Sequence, residues 1–122
     1  MHVKGLSWVG VKTDKFAELT LFFRNVLNLP VMHEEQDFVV FRLPNMDLVE
    51  VFGPHGPNSS FAHDVPACGF LVEDIEQARR ELLQAGIELI GPLRRMPNGY
   101  AWQHFRGPNG SIYEITYDPE AS

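Results

Sequence analysis

Two glutamates, Glu50 and Glu114, hold the same place in a phrase that the chain writes twice. FRLPNMDLVE runs over 41–50 and FRGPNGSIYE over 105–114, and Phe, Arg, Pro, Asn and Glu coincide at an offset of 64 residues, the step from Glu50 to Glu114. A repeated carboxylate admits three readings. It can ligate a divalent metal ion through its oxygens. It can act as an acid/base pair, because two carboxylates sharing a cavity hold one proton to higher pH, where it can be exchanged near neutrality. Or its oxygens can simply be satisfied by neighbouring donors. No Ser-His-Asp or Cys-His constellation accompanies them. The glycines of GPHGPNSS lack the strand-to-helix context of a phosphate loop.

Strands must aim these side chains. Residues 6–12 (LSWVGVK) are apolar and β-rich and predict a strand. Over 13–29, Phe16, Leu19, Phe23, Val26 and Leu27 fall on one helical stripe, with Asp14 as N-cap and Pro30 marking the end. Segments 31–36, 38–43 and 47–53 predict three strands, punctuated at Gln36-Asp37 and Pro44-Asn45. A proline-rich linker occupies 54–66. The order then restarts. Residues 67–72 predict a strand, and EDIEQARRELLQAG a helix with Ile75, Ala78, Leu82 and Ala85 on one face. Asp74 and Gln77 have capping-box spacing, and Gly86 supplies the stop. Segments 87–91, 100–106 and 111–117 are again strands.

The chain is therefore a duplication: strand-helix-strand-strand-strand, with one module over about 4–53 and the other over about 67–118, together forming a single domain. Period-two alternation puts Leu48, Glu50 and Phe52 on one face of a strand and Val49 and Val51 on the other. Ile112 and Glu114 separate from Tyr113 and Ile115 in the same way. One face of each sheet is expected to carry the helix, and the other the glutamate. His104 lies on the strand before Glu114, and Trp102 shares its parity.

Bulk properties narrow the function classes. With 122 residues, 44% hydrophobic and 21% charged, the chain reads as one ordinary globular domain. Net charge is −6 and the basic residues are scattered, which argues against nucleic acid and against an acidic lipid surface. No apolar run approaches a bilayer span. The N-terminal MHVKGLSWVG lacks a signal core, and Cys68 is the only cysteine, so a reducing cytoplasm is expected.

FRGPNGSIYEI resembles the recurring F-x-D-P-D-G-x-x-x-E phrase of the vicinal oxygen chelate superfamily, with Gly107 and Asn109 in place of its two aspartates. GFLVEDIEQA and FFRNVLNLPV are also similar to that superfamily, which includes glyoxalase I, bleomycin- and fosfomycin-resistance proteins and extradiol dioxygenases. The resemblance covers nearly the whole chain. It implies an α+β fold, two tandem βαβββ modules forming a curled, cleft-enclosing mixed sheet, and a divalent metal held by residues of the first and last strands. The last-strand ligands fall on Glu50 and Glu114. The first-strand ligands fall on Trp8 and Ala67, neither of which can bind a metal. His104 is a candidate replacement, giving a metal set of Glu50, Glu114 and His104; its position touches ligand in fosfomycin-resistance members.

Trp8 then reads either as core or, with Trp102 and Tyr100, as a stacking wall for a flat ligand. The resulting expectation is a small-molecule-binding protein whose cleft holds an aromatic or carbonyl-bearing ligand. Trp8, Trp102 and His104 would line it, Glu50 and Glu114 would be its acid/base or anchoring groups, and no cofactor would be needed. The alternative is a metal-dependent lyase or isomerase resembling glyoxalase I, or a dioxygenase-like enzyme. Relatives of this size imply a homodimer.

Overall fold

The computed structural model describes residues 1–57 and 60–121, so positions 58–59 of the linker lie outside the described residues. The chain divides into two compact units: a central unit, Trp8–Ala67, and a terminal unit that joins Met1–Ser7 to Cys68–Ser122.

The central unit takes β1 (Val3–Lys12) from Trp8 onward, then α1 (Phe16–Asn25), β2 (Val31–Glu35), β3 (Phe38–Arg42) and β4 (Leu48–Phe52). Its strands run in the order β2-β3-β4-β1. β1 is parallel to β4, and the other pairs are antiparallel. Alternation sends Val39, Phe41 and Val51 to one face, where Phe16, Leu19 and Phe23 of α1 cover them. Phe23 meets Phe41 edge-on at 5.8 Å.

Two details of α1 differ from the sequence reading. Asp14 does not cap it: the N-cap position is Lys15, with no side-chain cap bond. The hydroxyl of Thr13 accepts the Lys15 N–H instead, at 3.0 Å. Val26 and Leu27 do not extend the buried stripe. The helix ends at Asn25, the chain turns through Asn28 at a φ of 57°, and both side chains are exposed.

The terminal unit contains β5 (Ala67–Val72) from Cys68 onward, α2 (Ile75–Gln84), β6 (Glu88–Arg95), β7 (Ala101–Arg106) and β8 (Ile112–Tyr117). The order is β5-β8-β7-β6. β5 is parallel to β8, and β7 is antiparallel to both β8 and β6. Val72, Ile75, Ala78, Ala101 and Ile115 form the core between α2 and one sheet face. Each unit thus pairs a mixed sheet with one helix, and the element order is βαβββ twice. The class is α+β, as the sequence predicts.

Asp74 caps α2 as its spacing predicts, its Oδ1 accepting the Gln77 N–H at 3.0 Å. Gly86 follows at a φ of 80°. Asp74→Ala is expected to lower stability by about 1 kcal/mol, whereas Asp14→Ala should stay within about 0.5 kcal/mol of the parent. Urea melts of the two variants compare them directly; equal losses would contradict the capping assignment.

The linker does not stand apart as a spacer. Phe61 is buried in the central unit, 5.5 Å from Trp8 and 5.9 Å from Phe52. The Asp64 N–H donates to the Lys12 carbonyl at 2.7 Å. The His55 N–H donates to Asp37 Oδ2 at 2.8 Å. An aromatic residue amid proline-rich sequence still gains by leaving water, and that burial draws the segment onto the sheet.

Candidate functional site

In the terminal unit, β7 and β8 present four side chains as a block. Their antiparallel register sets His104 opposite Glu114 and Trp102 opposite Thr116. Ala101, Phe105, Ile115 and Tyr117 pack with the α2 core. By alternation the block belongs to the other, helix-free face. His104 and Glu114 are both buried, and His104 Nε2 lies 3.0 Å from Glu114 Oε1. The Thr116 hydroxyl donates to Glu114 Oε2 at 2.7 Å. Ser7, at the start of the chain, lies 2.8 Å from the same hydroxyl. Trp102 is half-buried, with Tyr100 tilted against it at 6.0 Å.

Behind this block stands Gln103, fully buried on the helix side. Its Nε2 donates to the carbonyls of Ile90, Gly91 and His104 at 2.9–3.1 Å. These bonds fill the irregularity that interrupts β6 between Ile90 and Arg94. Arg79 of α2 holds the amide from the other side, its Nε donating to Oε1 at 2.9 Å. The backbone at His104 is therefore tied to both β6 and α2, and a side chain on so anchored a strand is held rigidly.

Arg106, the repeated arginine, pairs with Glu88 at 3.4 Å and donates to the Gly110 carbonyl at 3.0 Å. Cys68 is half-buried, and loss of water around it pushes its thiol up, which keeps the sulfur protonated at neutral pH.

In the central unit the helix-free face carries Trp8, Lys12, Phe38, Glu50 and Phe52. Glu50 is half-buried in β4, between Gly10 of β1 and Val40 of β3. Trp8 is only 3% exposed. It meets Phe52 edge-on at 5.7 Å and Phe61 edge-on at 5.5 Å, while Phe38 stacks on Phe52 at 5.2 Å. Lys12 is also buried.

The structure thus brings His104 and Glu114 together in one unit with Trp102 beside them, and sets Trp8 and Glu50 in the other. Sequence reasoning passed over Thr116, Lys12, Gln103 and Ser7. Thr116 carried a signal, because it sits two positions after Glu114 and so shares its face. Lys12 has the same parity as Trp8. Ser7 carried none.

The residues present do not fit the divalent metal that the sequence resemblance implies. The two first-strand positions hold an indole and a methyl group, and Trp8 and Ala67 are both buried. Both oxygens of Glu114 are hydrogen-bonded within the protein, Oε2 accepting from the Thr116 hydroxyl and Oε1 lying 3.0 Å from His104 Nε2. Within neither unit do the described residues group three His, Cys, Asp or Glu side chains as a metal needs. No helix among the described residues is long and apolar enough to cross a membrane.

Two βαβββ runs, each ending in a strand that carries a glutamate, define a class of duplicated α+β proteins. The chain belongs to the Glyoxalase/Bleomycin resistance protein/Dioxygenase superfamily, whose sequence pattern it matches over residues 5–115. No curated protein sequence matches it. Solved structures share its fold. A superfamily member from Vibrio splendidus 12B01 has a TM-score of 0.69 and 19% identity, covering 91% of this chain and 97% of its own. The Mn(II)-bound glyoxalase from Novosphingobium aromaticivorans has a TM-score of 0.72 and 16% identity, covering 95% of this chain and 39% of its own. A methylmalonyl-CoA epimerase from Streptomyces coelicolor, in complex with 2-nitronate-propionyl-CoA, has a TM-score of 0.70 and 13% identity, covering 97% and 99%.

Proposed function

We propose that this chain is a small-molecule-binding member of its superfamily, taking an aromatic or carbonyl-bearing organic ligand without a metal. The observation that carries the reading is the buried His104–Glu114 pair on a helix-free sheet face, beside the half-buried ring of Trp102. An indole offers a flat surface for stacking, and an imidazole fixed by a carboxylate offers directional hydrogen bonding to a carbonyl or hydroxyl. In the central unit, Glu50 is the equivalent polar anchor, and Trp8 contributes through the packing of its aromatic cluster. If the chain catalyses a reaction, His104 and Glu114 are its acid/base pair, with Glu50 as a further general base. The organic ligand in the epimerase complex supports a small molecule as partner.

A panel of aromatic carboxylates, phenols and 2-oxo acids, titrated by tryptophan fluorescence and thermal shift, tests this. Compounds that bind should lose about tenfold in affinity, or about 1.4 kcal/mol, in both Trp102→Phe and His104→Ala. Equal affinity in parent and variants would move the ligand elsewhere. We also propose a cytoplasmic homodimer; sedimentation as a monomer at micromolar concentration would count against the dimer.

A further inference from the structure

Arg94 and Arg95 are neighbours in β6, and the structure sends them to opposite faces of the sheet. Arg95 stands opposite Ala101 of β7, and its guanidinium lies 3.4 Å from Glu76 Oε1 of α2, so it belongs to the helix side. Leu93 also packs against the α2 core. Arg94, between them, stands opposite Trp102. Residues directly opposite in an antiparallel pair share a face, with Cβ atoms about 4.5–5.5 Å apart. Arg94 therefore lies on the helix-free face, beside Trp102. The irregularity in β6 preserves this placement. Ile90 faces His104 and Arg94 faces Trp102, so four positions of β6 run against two of β7, and the even difference keeps the parity. Gln103, bonded to the carbonyls of Ile90 and Gly91, fixes that register from the helix side.

The neighbouring arginines are committed elsewhere. Arg79 and Arg95 both pair with Glu76, and Arg106 pairs with Glu88. Arg94 is exposed and makes no hydrogen bond or ion pair among the described residues. A guanidinium offers a planar fork that matches a carboxylate, and the half-buried indole beside it offers a flat surface.

We propose that Arg94 is a ligand-binding residue of the terminal unit: its guanidinium takes a carboxylate of the ligand while the flat part of the ligand lies on Trp102. The ligand is then an organic acid, an aromatic carboxylate or an aryl-substituted 2-oxo acid, and neither a neutral carbonyl compound nor a phenol. One fork matches the single charge of a carboxylate. A phosphate dianion calls for further cations, and Arg79 and Arg95 are held on the other side by Glu76. This ligand class rests on the small-molecule reading above, and it draws on neither His104 nor Glu114.

Acid and amide probes of one shape separate the charge from the ring. Indole-3-acetate with indole-3-acetamide, and phenylacetate with phenylacetamide, are titrated calorimetrically against the parent, Arg94→Gln, Arg94→Lys and Arg80→Gln. Arg94 and Arg80 are both exposed, so these variants should melt as the parent does. The parent is expected to bind the acids about tenfold more tightly than the amides. Arg94→Gln should weaken the acids about tenfold and leave the amides unchanged. Arg94→Lys keeps the charge without the fork and should retain only part of the preference. Arg80→Gln removes the same charge from α2 and should change nothing. A solvated edge arginine would give a parent without preference. That result overturns the proposal, as does a preference that survives Arg94→Gln or falls equally in Arg80→Gln. Amides that bind as well as the acids, and weaken in Trp102→Phe, would overturn this proposal and leave the small-molecule reading standing. Failure of these acids together with the neutral compounds of the earlier panel would overturn both.

Discussion

Replacing Phe52 with alanine will lower the unfolding free energy by about 4 kcal/mol, within the usual range for a buried phenylalanine. The ring is 0% exposed. It stacks on Phe38 at an interplanar angle of 10° and supports Trp8 and Phe61 by contacts at 5.7 and 5.9 Å. Four rings share one cluster, so truncation opens a cavity that three stiff side chains cannot collapse to fill. Against a typical domain stability of about 5–15 kcal/mol, that loss approaches the threshold for folding. Phe52→Leu keeps most of the volume and should lose roughly half as much. In a Trp102→Phe background, Trp8 is the remaining tryptophan, and its emission should shift to longer wavelength as water reaches it. A loss below about 1 kcal/mol, or an unmoved emission maximum, would mean that the cluster is not the pillar described here.

Gly10→Ala is the second large effect. Gly10 faces Glu50 in the parallel ladder between β1 and β4. A Cβ placed there would lie 2.0 Å from the Glu50 carbonyl oxygen and 2.9 Å from its carbon. The obstruction is backbone, with no flexible side chain to swing aside. The strands would have to separate by more than 1 Å to reach an ordinary carbon–oxygen contact of about 3.3 Å. That movement disrupts the register from Val9–Val49 to Lys12–Phe52. The expected cost is about 3 kcal/mol or more, at the upper end of overpacking penalties. Chemical denaturation measures it, and hydrogen exchange at the β4 amides should accelerate before exchange elsewhere in the central unit. A variant as stable as the parent would refute the close approach.

Both predictions involve residues whose importance the sequence only partly disclosed. The strand-helix-strand-strand-strand repeat was legible because alternation and helical periodicity are local, and Asp74 was legible as a cap because its partner lies three residues on. Asp14 looked equally suited, but Thr13 offered the nearer acceptor for Lys15 and the helix began one residue later than a cap at Asp14 requires. Val26 and Leu27 misled for a related reason: periodicity does not reveal where a helix stops. The shared face of Trp102, His104 and Glu114 followed from parity alone. Their hydrogen bonds did not, because parity fixes a face and leaves partners open. Phe61 was hidden by composition, being one aromatic residue in a segment rich in turn formers.

The Ser7–Thr116 bond joins positions 109 residues apart. Closing a loop of that length costs roughly 4 kcal/mol of chain entropy, so the bond forms only once other contacts have brought the ends together. On a ribosome adding about 5–20 residues per second, Ser7 waits roughly 5–20 s for its partner. The central unit, contiguous from Trp8 to Ala67, can assemble during that interval. The hydroxyl of Thr116 reaches both Glu114 and Ser7 last, after the final strand has been synthesised. Birth order along the chain therefore separates the two units: the one built from a single stretch can mature early, and the one assembled from two separated stretches is completed last.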